Sequence, residues 1–546
     1  MEQVGAVLLR FPPAGQDAAL LSDDAYDKQI KTHANRVQAL FKESVQVVAA
    51  HATDLLNQLD PAVHTYSYLA LLDTIIPTEY GLYPSVQPVI ANKIVTFLST
   101  FDPRQVRYIG SAFTHIFAAV GSGKIIPAPL AVELLAHALE AVDPSGHMMT
   151  SNHLTLAKLA YHTNNAAAAL PVLGKDIVFF PGIAHHRESE RLCNAGLAAP
   201  WYISKDTGLT LPLKSTQVLE FDYLVGLLHL SVRDWAAAHA AFARVVSYPT
   251  RDGGISKIMV EGHKFWVLTG LLLFGRVPPT PSHTAQVVTR VCTSVNKLYM
   301  QIAEHFQEAS AQALHVEVAL AHEVLAADGT TSLVNEVVAT HPKWQIAHLR
   351  NVYIKIAVSA IRATLQRAPT NTGAGAAGGA AGPEPADDAA EYSEAEVTAL
   401  IHDMIRSDMI KAVLRSAATA TSASQPATAE LTPIELDNEQ PQPGAYLEFL
   451  PEEEDVTEAQ FAQHIAGVKN RLQALKTLQQ TTDEHLSLDR DYLRQVVRDQ
   501  MRDKDKGGDD DGMGGMGGMV GYDSIGMEDP DEDLMMDGPE GGLYGE

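Results

Sequence analysis

The chain has 546 residues, enough for a substantial core, and 46% of them are hydrophobic, so most of it is expected to fold. Its formal net charge of -26 repels phosphate backbones and argues against bulk nucleic-acid binding. Only two cysteines, Cys193 and Cys292, stand far apart, which excludes a disulfide framework and a Cys-built zinc site and fits a reducing compartment.

The start, Met1-Glu2-Gln3-Val4, has no basic region, and Arg10, Pro12 and Pro13 interrupt the apolar stretch behind it. Residues 1–25 are therefore expected to be an N-terminal segment and not a signal peptide. The longest strongly apolar run, residues 267–274, is far short of the roughly 18 residues that span a bilayer. No membrane association is expected, and a cytoplasmic and nuclear location is.

From about 26 to 366 apolar residues recur at three- and four-residue spacing, and alternating patterns are nearly absent, so helix is expected to follow helix. Breaks fall at Asp60-Pro61, Pro84, Asp102-Pro103, Pro127, Asp143-Pro144, Pro181-Gly182, Pro249, Asp252-Gly253-Gly254, Pro278-Pro279 and Asp328-Gly329. Helices punctuated this closely predict stacked pairs, a helical-repeat solenoid over 26–330. Gly226, Ala238 and Phe242 fall in the register of the tetratricopeptide pattern, and Pro249 lies within one residue of its closing proline. A small residue there lets two helices approach, and the aromatic fills the next groove. Residues 154–173 (LTLAKLAYHTNNAAAALPVL) read as a looser copy. Other units fit poorly, so the repeat is degenerate, and a generic helical bundle is the alternative.

Composition then changes. Residues 370–388 (TNTGAGAAGGAAGPEPADD) are expected to be a disordered insertion within a winged-helix module spanning 331–455. Ser393 and Glu396 form a capping-box signature for a helix carrying Val397, Leu400, Ile401 and Met404 on one face. Ile410 to Leu414 follow, then a second low-complexity insertion at 416–430, then Tyr446-Leu447-Glu448-Phe449-Leu450, which alternates as a short strand. Helices closing into a small strand-loop-strand unit predict a winged helix with the second insertion in its wing. A further helix is expected over 457–478, within a C-terminal segment at 456–500. Phe461, Ile465, Val468, Leu472 and Leu475 step along it as a heptad seam. Residues 501–546 hold about 14 acidic and about 3 basic residues without periodicity and are expected to be a disordered tail.

Helical repeats, a winged helix and a C-terminal helix in this order resemble the PCI family, shared by the proteasome lid, the COP-nine signalosome and a translation initiation factor complex. Within it the likeness is to the signalosome branch, with the proteasome lid second. It is carried by 55–72 (LLNQLDPAVHTYSYLALL), 153–177, 223–249 (YLVGLLHLSVRDWAAAHAAFARVVSYP), 257–275 (KIMVEGHKFWVLTGLLLFG) and 295–306 (VNKLYMQIAEHF). The likeness spans roughly 55–497. The two insertions depart from the family pattern, and the Met/Gly/Asp-rich tail has no counterpart in it. The resemblance implies an all-α scaffold whose winged helix packs edge to edge with those of sister PCI subunits and whose last helix joins a bundle. It further implies zinc-protease-type subunits elsewhere in the complex and removal of a ubiquitin-like modifier from cullin-RING ubiquitin ligases.

Catalytic chemistry finds little support in the sequence. A zinc protease needs a His-x-His pair, a downstream carboxylate and a Glu to activate water; among 22 histidines there is no His-x-His, and His185-His186 are adjacent. A cysteine protease needs a thiolate beside a histidine base, and Cys193, with Arg191 and His185-His186 near it in sequence, is the one hint. Gly121-Ser122-Gly123-Lys124 resembles a phosphate loop, but Ala118 and Ile125 occupy the positions that need Gly and Ser or Thr, so an inter-helix turn is expected. The run Glu452-Glu453-Glu454-Asp455 suits the N-terminus of the last helix. In the winged helix, Arg406, Lys411 and Arg415 on its second helix are offset by Asp403 and Asp408, against specific DNA binding. No catalytic residue, cofactor or metal is expected.

The partner-binding residues are then the seam Phe461, Ile465, Val468, Leu472 and Leu475, together with Met404, Ile410, Leu414, Leu447 and Phe449 of the winged helix. An apolar seam with little chain left to cover it needs a partner, unless it folds back on the chain's own solenoid. A reading from another class is a stand-alone adaptor that binds peptides in the solenoid groove.

Overall fold

A computed structural model describes residues 2–13, 21–44, 47–48, 51–76, 88–181, 191–250, 254–308, 311–365, 392–415, 445–450 and 458–488. The chain divides into two compact units, Met1–Phe221 with Ile465–Glu546, and Asp222–His464.

The first unit is built from α1 (Glu2–Leu8), α2 (Asp23–Glu43), α3 (Ala52–Gln58), α4 (Thr65–Ile75), α5 (Pro88–Thr100) and α6 (Pro103–Val106). It continues with α7 (Gly110–Gly121), α8 (Ala128–Val142), α9 (Ser151–Thr163), α10 (Ala166–Leu173), α11 (Ala199–Tyr202) and the start of α12 (Ser215–Ser231). The expected breaks become caps. Asp102 precedes Pro103 at the first position of α6, accepts the Arg104 N–H at 3.0 Å and donates its own N–H to Thr65 Oγ1 at 2.9 Å. Tyr68 stacks on Phe97, and Phe101 and Phe113 continue the aromatic column at centroid distances of 5.6 to 5.8 Å.

Three elements meet at one buried histidine. Ser67 on α4 donates its hydroxyl proton to the Leu8 carbonyl at the end of α1 (2.8 Å), so His33 on α2 must donate from Nε2 to Ser67 Oγ (2.8 Å). On α9, His153 sits at the third helical position and its Nδ1 accepts from the Thr150 N–H at 3.3 Å and lies 2.8 Å from the Thr150 hydroxyl, a capping box in which histidine replaces the usual Glu.

The second unit takes the rest of α12 and then α13 (Trp235–Val246), α14 (Lys257–Phe274), α15 (Gln286–Val295), α16 (Lys297–Gln307), α17 (Ala311–Leu320), α18 (His322–Ala327) and α19 (Thr331–Leu349). The tetratricopeptide register holds here. A Cβ on Gly226 of α12 would lie 2.7 Å from the Phe242 ring of α13, which is fully buried and stacks on Phe265 at 5.2 Å. α14 is apolar nearly all round, as a helix enclosed by its neighbours must be. It ends at Gly275, whose φ of 65° and 2.6 Å approach of a would-be Cβ to the Trp344 ring both require glycine.

α19 serves two cores. Leu333, Val334 and Val337 pack with α14 and α16, while Ile346, Ala347 and Leu349 pack into a second cluster formed by β1 (Lys355–Ala357), α20 (Val358–Thr364), α21 (Glu394–Arg406), β2 (Ala412–Arg415) and β3 (Tyr446–Phe449). The strands form an antiparallel sheet in the order β1-β3-β2, with Ile356 opposite Leu447 and Leu414 opposite Leu447 on the other side. Helices against a three-stranded sheet whose outer strands flank β3 make the winged helix. The expected all-helical run to 366 needs one correction: residues 355–357 are strand. Three residues carry too little alternation to read locally, and the strand exists because β3, about ninety residues later, supplies its hydrogen bonds. The insertions at 370–388 and 416–430 and the tail at 501–546 lie outside the described residues. The last helix, α22 (Glu458–Leu488), runs past the expected end at 478.

Candidate partner interfaces

The five seam residues share one face of α22, and every one is exposed: Phe461 58%, Ile465 52%, Val468 64%, Leu472 64% and Leu475 58%. A polar contact to the described part of the first unit is the ion pair Arg471–Asp176 at 3.1 Å, in which both side chains are mostly exposed. Such a pair contributes about 0–1 kcal/mol. Burying five large apolar side chains would contribute on the order of 1.5–3 kcal/mol each. Covering the seam would therefore contribute more than this ion pair does.

The winged-helix residues are placed differently from expectation. Met404, Ile410, Leu447 and Phe449 are buried in the module's own core with Val397, Ile401 and Ile356, and Leu414 is partly covered against the same cluster. The alternation that marks 446–450 as a strand is the mark of one face turned inward, and the inward face is the one those apolar side chains occupy. They hold the module together and leave other groups to face a partner. Sequence reasoning passed over one such surface. Val352, Tyr353 and Ile354, just before β1, are 73%, 45% and 75% exposed, and Leu450, just after β3, is 40% exposed. Phe449 N–H donates to the Ile354 carbonyl at 2.8 Å and Leu450 N–H to that of Lys411 at 2.9 Å, so the four lie at one end of the sheet. The apolar run Val352-Tyr353-Ile354, outside any helical period, was the available signal.

The basic residues do not gather on one helix. Arg406 ends α21, Lys411 lies in a connection, and Arg415 is on β2, where it pairs with Glu448 at 2.8 Å. Lys355 on β1 pairs with the same carboxylate at 2.9 Å. The hydrogen bond from Lys355, then the nearby charges of Lys355 and Arg415, hold the Glu448 carboxyl below its usual range. Asp403 pairs with Lys343 of α19. Arg415 is thus committed to pinning the three strands to one another and is no free cation for a phosphate backbone.

The reactive candidates are packed as structural groups. Cys193 is buried and its thiol donates to the Asp23 carbonyl at 3.3 Å; burial pushes it above its ordinary range. Burial pushes the Cys292 thiol up to about 11. Both shifts oppose the thiolate that nucleophilic chemistry requires. His185-His186 and Glu452 to Asp455 lie outside the described residues. Among the described residues no group of three or more His, Cys, Asp or Glu is placed to hold a metal ion. Gly121-Ser122-Gly123-Lys124 is the connection from α7 to α8: Gly121 ends the helix, Ser122 caps it, and Gly123 turns the chain with φ 70°. Three buried histidines are held neutral. Burial, then the charges of His64, Arg36 and Arg10, bring His33 down to about 4; burial brings down His153, with Lys175 adding and Asp143 opposing, and burial brings down His263, both also to about 4. Among the described residues no helix is long and apolar enough to cross a membrane.

Residues 27–288 match the family model described as COP9 signalosome complex subunit 3, N-terminal helical repeats. A protein of Neurospora crassa named COP9 signalosome complex subunit 3 is 32% identical over 499 residues, covering 90% of this chain and 91% of its own length. One of the same name from Emericella nidulans is 31% identical over 373 residues, covering 66% of this chain and 74% of its own. The stacked helices over residues 27–288 agree with the helical repeats that the family model describes, and 32% identity across nine-tenths of both chains shows that this chain belongs to the family of COP9 signalosome complex subunit 3.

Proposed function

We propose that the chain is a non-catalytic scaffold subunit of a signalosome, positioning sister subunits of a complex that removes a ubiquitin-like modifier from cullin-RING ubiquitin ligases. The observation that carries this reading is the seam of α22, five large apolar side chains each more than half exposed on one helix face. A face of that kind is stable in water only when another helix covers it, which makes it a bundle position. The sheet-end patch of Val352, Tyr353, Ile354 and Leu450 supplies a second, smaller apolar surface suited to edge-to-edge packing with a sister winged helix. Zinc chemistry in this reading belongs to another subunit, and the chain contributes position.

Replacing Val468 and Leu472 together by Asp tests the reading. Both side chains are exposed, so the thermal midpoint of the chain itself is expected to stay within about 2 °C, in line with surface substitutions of about 0.5 kcal/mol or less. Co-purification of sister subunits from the chain's own cells is expected to fall at least tenfold. Undiminished recovery of the complex would refute the bundle role.

A further inference from the structure

In the first unit, α2 and the segment after α1 enclose an open cavity of about 480 Å³ lined by Arg10, Phe11, Lys28, Gln29, His33 and Arg36. Three cations here are unusual for a chain whose net charge is -26. Among the described residues Arg10, Lys28 and Arg36 have no carboxylate partner, whereas Lys31, on the same helix, pairs with Asp27 at 2.8 Å. The wall opposite α2 is fixed in place: Phe11 is buried edge-on against Tyr26 at 5.2 Å, and its carbonyl accepts from His64 Nδ1 at 2.7 Å.

His33, one of the lining residues, carries an unmet acceptor. His33 spends its Nε2 proton on Ser67, so Nδ1 presents a lone pair; that atom is buried in a residue only 3% exposed, and it has no partner. Gln29 Oε1 is likewise buried and unpartnered. A buried polar group without a partner costs about 1–3 kcal/mol, and such sites in native proteins mark a missing ligand or a functional constraint. The groups acting electrostatically on His33 are His64, Arg36 and Arg10, one from each surrounding segment, and none is a carboxylate.

We propose that this cavity binds a phosphate monoester, with Arg10, Lys28 and Arg36 on its oxygens and His33 at its base. Two guanidinium groups and an ammonium supply three positive charges against the about −1.5 to −2 of a phosphate monoester, and the guanidiniums offer the forked donors that bind it bidentately. A carboxylate carries a single charge in every ionised form and brings no proton. A phosphate monoanion brings one hydroxyl, which Nδ1 can accept, and the dianion can draw a proton onto Nδ1 instead. Either way the orphan nitrogen gains a partner. The phosphate could be carried by a modified side chain of a protein partner or by a free phosphorylated sugar, and the chemistry of the site is the same for both.

The test is equilibrium dialysis of radiolabelled inorganic phosphate against the full-length chain, in the assembly in which it is purified, at constant ionic strength in chloride. The Arg10→Gln, Arg36→Gln double variant is compared with the parent, and Lys28→Gln serves as a separate single variant. All three positions are exposed, so the assembly is expected to keep its mass. The expected result is the loss of one bound phosphate per copy in the double variant, or an affinity at least tenfold weaker, with a smaller loss for Lys28→Gln. Competition with a phosphoserine peptide and with a sugar phosphate then identifies the source by which displaces label at lower concentration. Equal phosphate binding by parent and double variant, or displacement by neither competitor, would overturn the proposal.

Discussion

Histidine protonation is the clearest residue-scale consequence of this packing. His33, His153 and His263 are each held near 4, chiefly by burial, against about 6.5 in an unfolded chain. Their folded values are depressed, so the stability they permit is intact above about pH 6.5 and is lost as pH falls toward 4, where the unfolded chain takes up protons that the folded one refuses. The scale is about 3 kcal/mol per ring across that window. Urea midpoints are expected to fall steadily between pH 7 and pH 4.5. His153→Gln, which keeps an acceptor for the Thr150 N–H but does not titrate, is expected to flatten that fall measurably. An unchanged slope would show that His153 is not held neutral. None of this was legible in the sequence, because a histidine among apolar residues looks the same whether it caps, packs or binds. Gly226 and Phe242 were legible, because the sixteen-residue step between them repeats a known steric fit, and in the structure a Cβ on Gly226 would lie 2.7 Å from the Phe242 ring.

At the scale of elements, period and cap were the readable signals. The capping box of α21 is present as expected, with Ser393 N–H on Glu396 Oε2 at 2.9 Å and Glu396 N–H on Ser393 Oγ at 3.2 Å. The seam of α22 was readable as one helix face from its heptad step, and the structure leaves that face exposed. Strand β1 was not, since a three-residue strand is specified by its distant partner and not by its own pattern. The same cause misdirected the winged-helix interface: alternation shows that Leu447 and Phe449 share a face but not whether that face meets this chain or another. Leu447→Ala is therefore expected to destabilise the module by about 2–5 kcal/mol through the cavity it leaves. Chemical denaturation of the purified chain measures this. A full-strength fold combined with lost assembly would return Leu447 to the partner surface.

For the whole molecule, helical content and the order of parts were set by pattern, while the division into units was not. The repeat segment expected as one block at 26–330 is divided between two compact units, the chain passing from one to the other at residue 221 in α12, where helical periodicity is uninterrupted and gives no hint of a boundary. Each unit has its own polar anchoring: Asp102 joins Tyr26, Thr65 and Gln105 in the first, and Asp328 joins Lys264 and Tyr299 in the second. Among the described residues, the seam of α22 and the sheet-end patch are exposed apolar surfaces, and they carry the role we assign.

Native mass spectrometry of the tagged chain, purified from its own cells with every associated subunit identified, tests that role most directly. The expected result is an intact assembly of several PCI subunits with two zinc-protease-type subunits, able to strip the modifier from cullins. Recovery with proteasome lid subunits would contradict the signalosome assignment, and recovery as a clean monomer would contradict the scaffold role itself.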